Sequence, residues 1–453
     1  MNIRGTMKPR LAWLSILAIA LSHAVLADSP ATQPATRPTP QVLALVNDLT
    51  SDQFATRQKA QQDLEQMGQP VLAQLQAILD GPLSDEARTR VRTAMRRISD
   101  QRQFGASVIT IHCTDAPLAG VLEDFARQAS AEMGVHRPEI LQYLQPRKIT
   151  LNLERADFWT ALQAVEDASG LHLRPDSDGQ MILDPMMGFW MGQMGDRTRA
   201  RIAGPCLVAP LAIQWSMQYA NNMSNLNLQL MATIEPKLRV VGGFQSNWLR
   251  ECVDDKGHSL ISPNPQMGGI FSSGPQQWMR SLNANLRVVP GMGTKIARLK
   301  GELDFQVQTK SEIIIVDNIL SAHNVSRKVA GSVITIQQLQ TQGAQYQLHV
   351  SISGPLGVPN SQFFQNAMNS EFQILDDNNQ QYQQMGGGQN IDGNGQVGLV
   401  LYYMANGGWR PPNSPPMGPP RKLRCEVTTE TRPMTERFEL DDLPLLQAPD
   451  GGN

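Results

Sequence analysis

The sequence predicts a multi-domain α+β chain: a small α-helical unit, then a small α/β module, then two antiparallel β-sandwich domains. Three observations predict it. The apolar period is helical from Gln41 to about Ser99. Helical and alternating segments then take turns over residues 107–184. From about Arg201 onward the period is two, with turn signals between the apolar runs. A chain of 453 residues has room for two to four domains at roughly 100–200 residues each. Hydrophobic residues are 41%, enough for packed cores and too many for global disorder. Charged residues are only 18%, so neutral Gln, Asn, Ser and Thr must cover much of the surface. The net charge is -2, from 39 Lys+Arg against 41 Asp+Glu. That balance argues against nucleic acid as the main partner, which a basic excess would accompany.

The N-terminus reads as an export signal. Arg4, Lys8 and Arg10 precede an apolar run from Leu11 to Ala27, in which only His23 can carry charge. Val25 and Ala27 are the small residues a cleavage site needs at its third-last and last positions. The run is short for a membrane span, which takes about 20 residues, so cleavage is favoured over a retained anchor. No Cys follows it to accept a lipid. Cleavage after Ala27 would remove three basic side chains and no acid, moving the net charge from -2 to -5. The expected location is periplasmic or extracellular, with no membrane span after cleavage. Residues 28–40, DSPATQPATRPTP, form a Pro/Thr linker whose four prolines deny it a helix.

Residues 41–100 read as helices. Ser51 and Asp52 are placed to cap one in which Phe54, Ala55, Ala60, Leu64 and Met67 recur. Gly68 ends it, and Pro70 opens the next, which carries Val71, Leu72, Leu75, Ile78 and Leu79. Gly81-Pro82 breaks that helix, and Ser84 or Asp85 caps a last one with Val91, Ala94, Met95 and Ile98. The stretch LTSDQFATRQKAQQDLEQMGQPVLAQLQAIL, with DEARTRVRTAMRRI after it, resembles a HEAT-like helical repeat of the kind seen in many exported planctomycete-type proteins. It holds one to two repeats, where a solenoid needs about three. The resemblance therefore implies a unit that packs on its neighbour or acts as a docking cap. Arg88, Arg92 and Arg96 are four apart and share one face, with Arg90 and Arg97 nearby. They form either a basic docking stripe for an acidic partner or a solvated helix face, and the solvated face is the plainer reading.

Residues 107–184 read as strand, helix, strand, helix, strand, strand. Val108–Ile111 is the first strand, and Asp115 is placed to cap a helix with Leu118, Val121, Leu122, Phe125 and Ala129. Ile149, Leu151 and Leu153 alternate in a second strand. Asp157 caps a helix with Phe158, Ala161, Leu162 and Val165, closed by Gly170. A hairpin follows around residues 176–179. The segments VITIHCTDAPLAGVLEDFARQAS, KITLNLERADFWTALQAVEDASGLHL and GQMIL resemble the short N-terminal domain of secretins and TonB-dependent receptors. The resemblance implies a periplasmic protein-interaction module without catalysis. Nothing after it looks like a pore or a barrel of those machines, so only the module carries over.

Residues 185–200, DPMMGFWMGQMGDRTR, form a Met/Gly linker. Met186, Met187, Met191 and Met194 are soft thioethers of the kind that hold Cu(I), yet no Cys or His lies among them. A linker that packs Trp190 and some Met on a neighbour is the preferred reading. Beyond it, Leu226, Leu228, Leu230, Ala232 and Ile234 alternate with polar residues, as do Leu303, Phe305 and Val307. Ile334 and Ile336 repeat the pattern, followed by Leu348, Val350 and Ile352, and by Val397, Leu399, Leu401 and Tyr403. Such runs predict Ig-like sandwiches at 201–323 and 324–447, with a break near 323–330. Gln380–Gly395 and the Pro-rich 409–420 read as long loops. LNLQLMATIEPKLRVV and RFELDDLPL resemble the ends of uncharacterised exported planctomycete-type proteins.

The search for chemistry finds little. No HExxH, GxSxG, SxxK or P-loop occurs. His23, His112, His136, His172, His258, His323 and His349 are scattered, so no helical metal pair exists. Asp254 and Asp255 lack the spacing of an EF-hand, and a β-turn explains them better than Ca²⁺. Cys113, Cys206, Cys252 and Cys425 show no CxxC spacing. Cys425 reads as a buried small hydrophobe, and a Cys206–Cys252 bridge is left open. The expectation is a non-catalytic exported envelope protein without catalytic, cofactor or metal residues. It would bind other envelope proteins through the helical repeat and the α/β module. The alternative is an exported hydrolase or carbohydrate-binding β-sandwich protein.

Overall fold

Strand outweighs helix about two to one, 50% against 26%, and the strands form several antiparallel sheets, so the chain is mixed α+β. The computed structural model describes residues 37–68, 70–131, 144, 147–175, 181–184, 196–218, 223–241, 248–262, 278–329, 331–343, 345–354, 370–391, 396–405 and 417–445. The expected signal peptide, most of both linkers, His136, the hairpin turn at 176–179 and the Pro-rich loop up to 416 lie outside the described residues. Among the described residues no helix is long and apolar enough to cross a membrane. The chain divides into two compact units, residues 1–98 and 99–453.

In the first unit, α1 (Pro40–Asp48), α2 (Phe54–Met67), α3 (Pro70–Leu79) and the greater part of α4 (Asp85–Phe104) enclose one core. Val42, Leu64, Val71, Leu75, Val91 and Ile98 fill it. Gly68 ends α2 at φ +66, a left-handed position that glycine takes without a Cβ penalty. Ser84 Oγ accepts from Ala87 N at 3.2 Å, so serine caps α4. Two local expectations fail. Ser51 and Asp52 do not cap α2; Gln53 stands at the cap and makes no side-chain cap bond, while the Ser51 and Asp52 carbonyls accept from Arg57. Phe54 is 69% exposed and Ala55 is exposed too, because the first turn of α2 lies beyond the edge of the core. The Arg57 guanidinium lies over the Phe54 ring instead.

The second unit begins with the α/β module. β1 (Val108–Pro117) pairs antiparallel with β2 (Lys148–Asp157), and α5 (Leu118–Ala129) and α6 (Phe158–Ser169) cover one face. Asp157 caps α6, accepting from Thr160 N at 2.9 Å. Asp115 does not cap α5. It sits within β1 at φ 49 and pairs with Lys148 at 2.6 Å, and Pro117 takes the cap position. β3 (His172–Pro175) and β4 (Met181–Asp184) form the hairpin.

Three larger sheets follow. β5 (Arg201–Ala203), β6 (Cys206–Gln218), β7 (Met223–Ile234) and β9 (Met279–Arg287) form one, in the order β5-β6-β7-β9. The alternating Leu226, Leu228, Leu230, Ala232 and Ile234 are all buried on one side of β7. β8 (Leu249–Asp254), β10 (Lys295–Asp317), β14 (Glu371–Leu375) and β17 (Lys422–Pro444) form the second, in the order β14-β17-β10-β8. β11 (Val325–Val329), β12 (Ser332–Gln342), β13 (Gln345–Ser353), β15 (Gln383–Ile391) and β16 (Gln396–Met404) form the third. β15 falls inside the stretch expected to be a loop. Its backbone pairs with β16 from Gln383↔Met404 to Ile391↔Val397. The ladder satisfies the peptide groups that face β16, and the low strand propensity of Gly and Asn does not prevent it.

The ribbon of β10 and β17 runs through two cores. Leu299, Leu303 and Phe305 join Phe438, Leu440 and the β7 leucines in one core. Ile314, Val316, Leu423 and Cys425 join Ile334, Val350 and Leu401 in the other. The C-terminal half of β17 thus returns to the core of residues 203–307, outside the expected 201–323 span. Gly301 faces Phe438 across the ribbon, and a Cβ there would lie 2.3 Å from the ring. Only glycine permits that approach.

The cysteines carry no bridge. Cys206 and Cys252 are both buried free thiols of one core, and Cys425 is buried beside Leu423 and Val427. Burial pushes the Cys252 and Cys425 thiols up to about 12 and raises Cys206 as well. A thiol held protonated and shielded does not react. Alkylation of the native protein at pH 8 is therefore expected to spare Cys206, Cys252 and Cys425, and mass spectrometry should find them modified only after denaturant is added. Label on any of the three without denaturant would contradict the packing.

Candidate functional site

The arginine stripe of α4 is divided by the structure. Arg88 donates to the Leu79 carbonyl at 2.7 Å and toward that of Gly81, so it caps the end of α3 rather than facing a partner. Arg90 pairs with Glu86 at 2.8 Å and Arg97 with Glu65 at 3.4 Å. Arg92 and Arg96 are exposed. Of the three, Arg88 is bonded to the end of α3, while Arg92 and Arg96 face solvent.

Other conspicuous polar groups hold chain to chain. The buried Asp254 carboxylate accepts from Lys256 N, His258 N and Gly293 N at 2.7–3.0 Å and meets His258 Nδ1 at 2.9 Å. Burial raises it, but those bonds prevail and hold it well below the usual carboxylate range. Its oxygens are committed to the turn, as the β-turn reading expects. Glu235 accepts from Ser107 N at 2.9 Å and Ser107 Oγ at 2.5 Å, with Lys237 at 3.5 Å. Burial pushes Glu235 up and Lys237 down, and each partly offsets the shift of the other. Trp159 Nε1 donates to the Pro205 carbonyl at 3.1 Å, and its ring shares a core with Leu207 and Trp278. These links seat the α/β module on the β5-β6-β7-β9 sheet. His112 stands on the open side of the module, between Asn152 Oδ1 at 2.6 Å and Glu154 Oε2 at 3.0 Å.

One face combines fixed charge with exposed apolar surface. Residues directly opposite in an antiparallel pair point to the same side. Ile313 is opposite Glu426, Ile315 opposite Arg424, Glu371 opposite Glu426, and Gln373 opposite Arg424. These side chains share the outer face of the β14-β17-β10 sheet, while Ile314, Cys425 and Phe372 point into the core. Glu371 and Glu426 face each other and would repel. The Arg239 fork, from the segment between β7 and β8, bridges both. Arg424 adds a bond to Glu426 at 2.8 Å and one to Gln373 Oε1 at 3.1 Å. Ser311 Oγ and Gln308 Nε2 donate to Glu426 at 2.8 and 3.1 Å. The register shifts at Gln308–Ser311 give the strand the local bend that brings both groups to one carboxylate.

Burial pushes the Glu426 carboxyl up, but the hydrogen bond and charge of Arg239, with Ser311 and Gln308, overcome it and hold the group at about 2. The folded pKa lies below the unfolded one, so this stabilisation is complete above about pH 4.5 and is lost as pH falls toward 2. Its size is on the order of 3 kcal/mol for a side chain this well buried. Denaturant titrations at pH 7, 4 and 3 should show that acid limb, and substituting Glu426→Gln should make it shallower, with Asp254 supplying part of what remains.

Beside the network, Ile313 is 54% and Ile315 is 57% exposed. The run Ile313-Ile314-Ile315-Val316 breaks the period of two, so alternate members must face outward. That break was the one sequence signal for this face. Arg239, Glu371 and Glu426 had none, because they meet from segments 132 and 187 residues apart. The arrangement sets an exposed apolar pair beside a fixed Arg/Glu pattern. Among the described residues no group of three or more His, Cys, Asp or Glu is placed to hold a metal ion.

No protein-family model and no curated protein matches the chain. Among solved structures it is similar to "The crystal structure of the conserved domain protein from Bacillus anthracis", at 7% identity over 55% of this chain and 92% of that one. The TM-score of that match is 0.17, too low to carry any argument about fold or function.

Proposed function

We propose that the protein is a non-catalytic exported envelope protein that binds other protein chains and serves as a scaffold. In this reading residues 1–27 direct export and are removed. The HEAT-like unit and the α/β module are recognition units, and two sandwich domains built on the β10–β17 ribbon supply the rigid body and, on the β14-β17-β10 sheet, a further binding face. The observation that carries the reading is the exposed Ile313/Ile315 pair beside the Arg239–Glu426–Arg424 network. Charges held by one another present a set pattern, so little side-chain freedom is lost on binding. The long-range polar links at Glu235 and Trp159 support the same view, since they tie modules together.

A photo-crosslinking residue placed at position 315 tests the reading in intact envelopes. The expected result is a discrete protein–protein adduct that depends on light. Absence of any adduct at 315, with the protein folded and abundant, would overturn it.

A further inference from the structure

The strands after Arg201 repeat one plan. A hairpin, β6–β7 and later β12–β13, lends its second strand to a further partner, β9 or β16. A short strand, β8 or β14, then runs into an Asp-Asp turn. Asp254 accepts from Lys256 N, His258 N and Gly293 N, and Asp376 accepts in the same way from Asn378 N, Gln380 N and Gly418 N. Each glycine stands just before a long strand, β10 or β17. The repeat extends to surface chemistry. β12, β13, β15 and β16 contain no Asp, Glu, Lys or Arg, and neither do β6 and β7, in a chain of which 18% is charged. Leu348, Val350, Leu399 and Leu401 point into the core, so their neighbours along each strand point away from it. On that outer face Gln340, Gln347, Tyr402 and Gly386 lie in one row across the four strands. His349 lies in the next row, between Gln338 and Val400, with Gly388 beyond. A Cβ at Gly386 or Gly388 would meet nothing within 4 Å, so bare backbone flanks Tyr402 and Val400.

Polar capacity on this face is unspent. His349 Nε2 is screened from solvent and has no hydrogen-bond partner among the described residues. Asn227 Oδ1 is in the same state on β7, the strand that corresponds to β13. Such atoms are rare because each forfeits its bonds to water. We infer that the outer face of the β12-β13-β16-β15 sheet binds a neutral polysaccharide. An anion would find no cation on these strands, and a cation no carboxylate. Val400 and Tyr402 at the centre are too little apolar surface for the core of a protein contact. A sugar ring has a rim of hydroxyls and an apolar C–H face. The rim suits glutamine amides, which offer a donor and an acceptor each. The C–H face suits the Tyr402 ring, and the two glycines let the sugar down to the backbone beside it. Rotation of Gln338 opens His349 Nε2 to a hydroxyl. The inference does not rest on the Ile313/Ile315 face.

Binding of the purified protein to an array of neutral and acidic polysaccharides, with depletion onto microcrystalline cellulose and chitin, tests it. Retention by a neutral polysaccharide is expected, and added salt should not weaken it, because no charges are matched. Tyr402→Ala should weaken it by about 10-fold or more. Gly388→Val fills the open space and removes no bond. It should abolish binding while the melting temperature stays at or above that of the wild type. The inference is overturned if no neutral polysaccharide is retained, or if only acidic ones are. It is overturned equally if Tyr402→Ala and Gly388→Val bind as the wild type does. Protein adducts at position 315 are read separately, so failure of either reading leaves the other standing.

Discussion

Arg239→Ala is expected to cost about 2 kcal/mol of folding stability, within the range for leaving a buried polar group without its partner, since Glu426 is buried while Arg239 is itself 36% exposed. The mechanism is the pair of facing carboxylates. Glu371 and Glu426 sit directly opposite, and Glu426 is only 7% exposed. Without the guanidinium, burial and mutual repulsion both act on Glu426, and its pKa rises from about 2. The variant should therefore lose stability at pH 7 and recover part of it as pH falls and a carboxyl protonates. That is opposite in sign to the wild-type acid limb. Urea titrations at pH 7 and pH 4 read both effects. Adding Glu371→Gln and Glu426→Gln to Arg239→Ala should restore much of the loss, because no uncompensated charge is left. A loss under about 1 kcal/mol at pH 7 would mean that the network is a solvated surface cluster.

Trp159→Ala is expected to cost about 3–5 kcal/mol, the range for deleting a large buried aromatic. Trp159 is 2% exposed and packs edge-on against Phe158 at 4.9 Å. It also lies at the seam between the α/β module and the β5-β6-β7-β9 sheet. The variant should thus loosen the seam as well as the core, and calorimetry should resolve a lower, broader transition. Trp159→Phe separates the two contributions. It keeps most of the packing and removes one of two donors to the Pro205 carbonyl, which still accepts from Glu235 N at 3.0 Å, so a loss of about 1 kcal/mol or less is expected. Equal losses for Ala and Phe would place the whole effect in the hydrogen bond.

Much of the local structure is legible along the chain. Gly68, Pro70, Asp157 and Gly170 mark helix ends because each satisfies or frees peptide groups within one turn. The leucines of β7 declare their buried side through spacing alone. Where such reading fails, a neighbour distant in sequence has intervened. Asp115 is held at the register break of β1, where its amide donates to Thr150 Oγ1 and its carboxylate pairs with Lys148. Gln383–Ile391 becomes a strand because β16 offers it a ladder along one side. Arg88 looks like part of a stripe, but the carbonyls of α3 claim it.

What the amino-acid order determined unaided is most of the sequence of helical and alternating segments, the buried side of most of them, and several helix ends. These follow from side-chain direction over a few residues. The tertiary structure alone decided that β17 serves two cores, that the α/β module is fastened through Trp159 and Glu235, and that Arg239 lies between two acids far along the chain. It also decided that Ile313 and Ile315 are exposed on β10 where, among the described residues, no strand pairs beyond it. Pairing between distant strands depends on how loops close and sheets stack, and periodicity over a few residues carries no record of either.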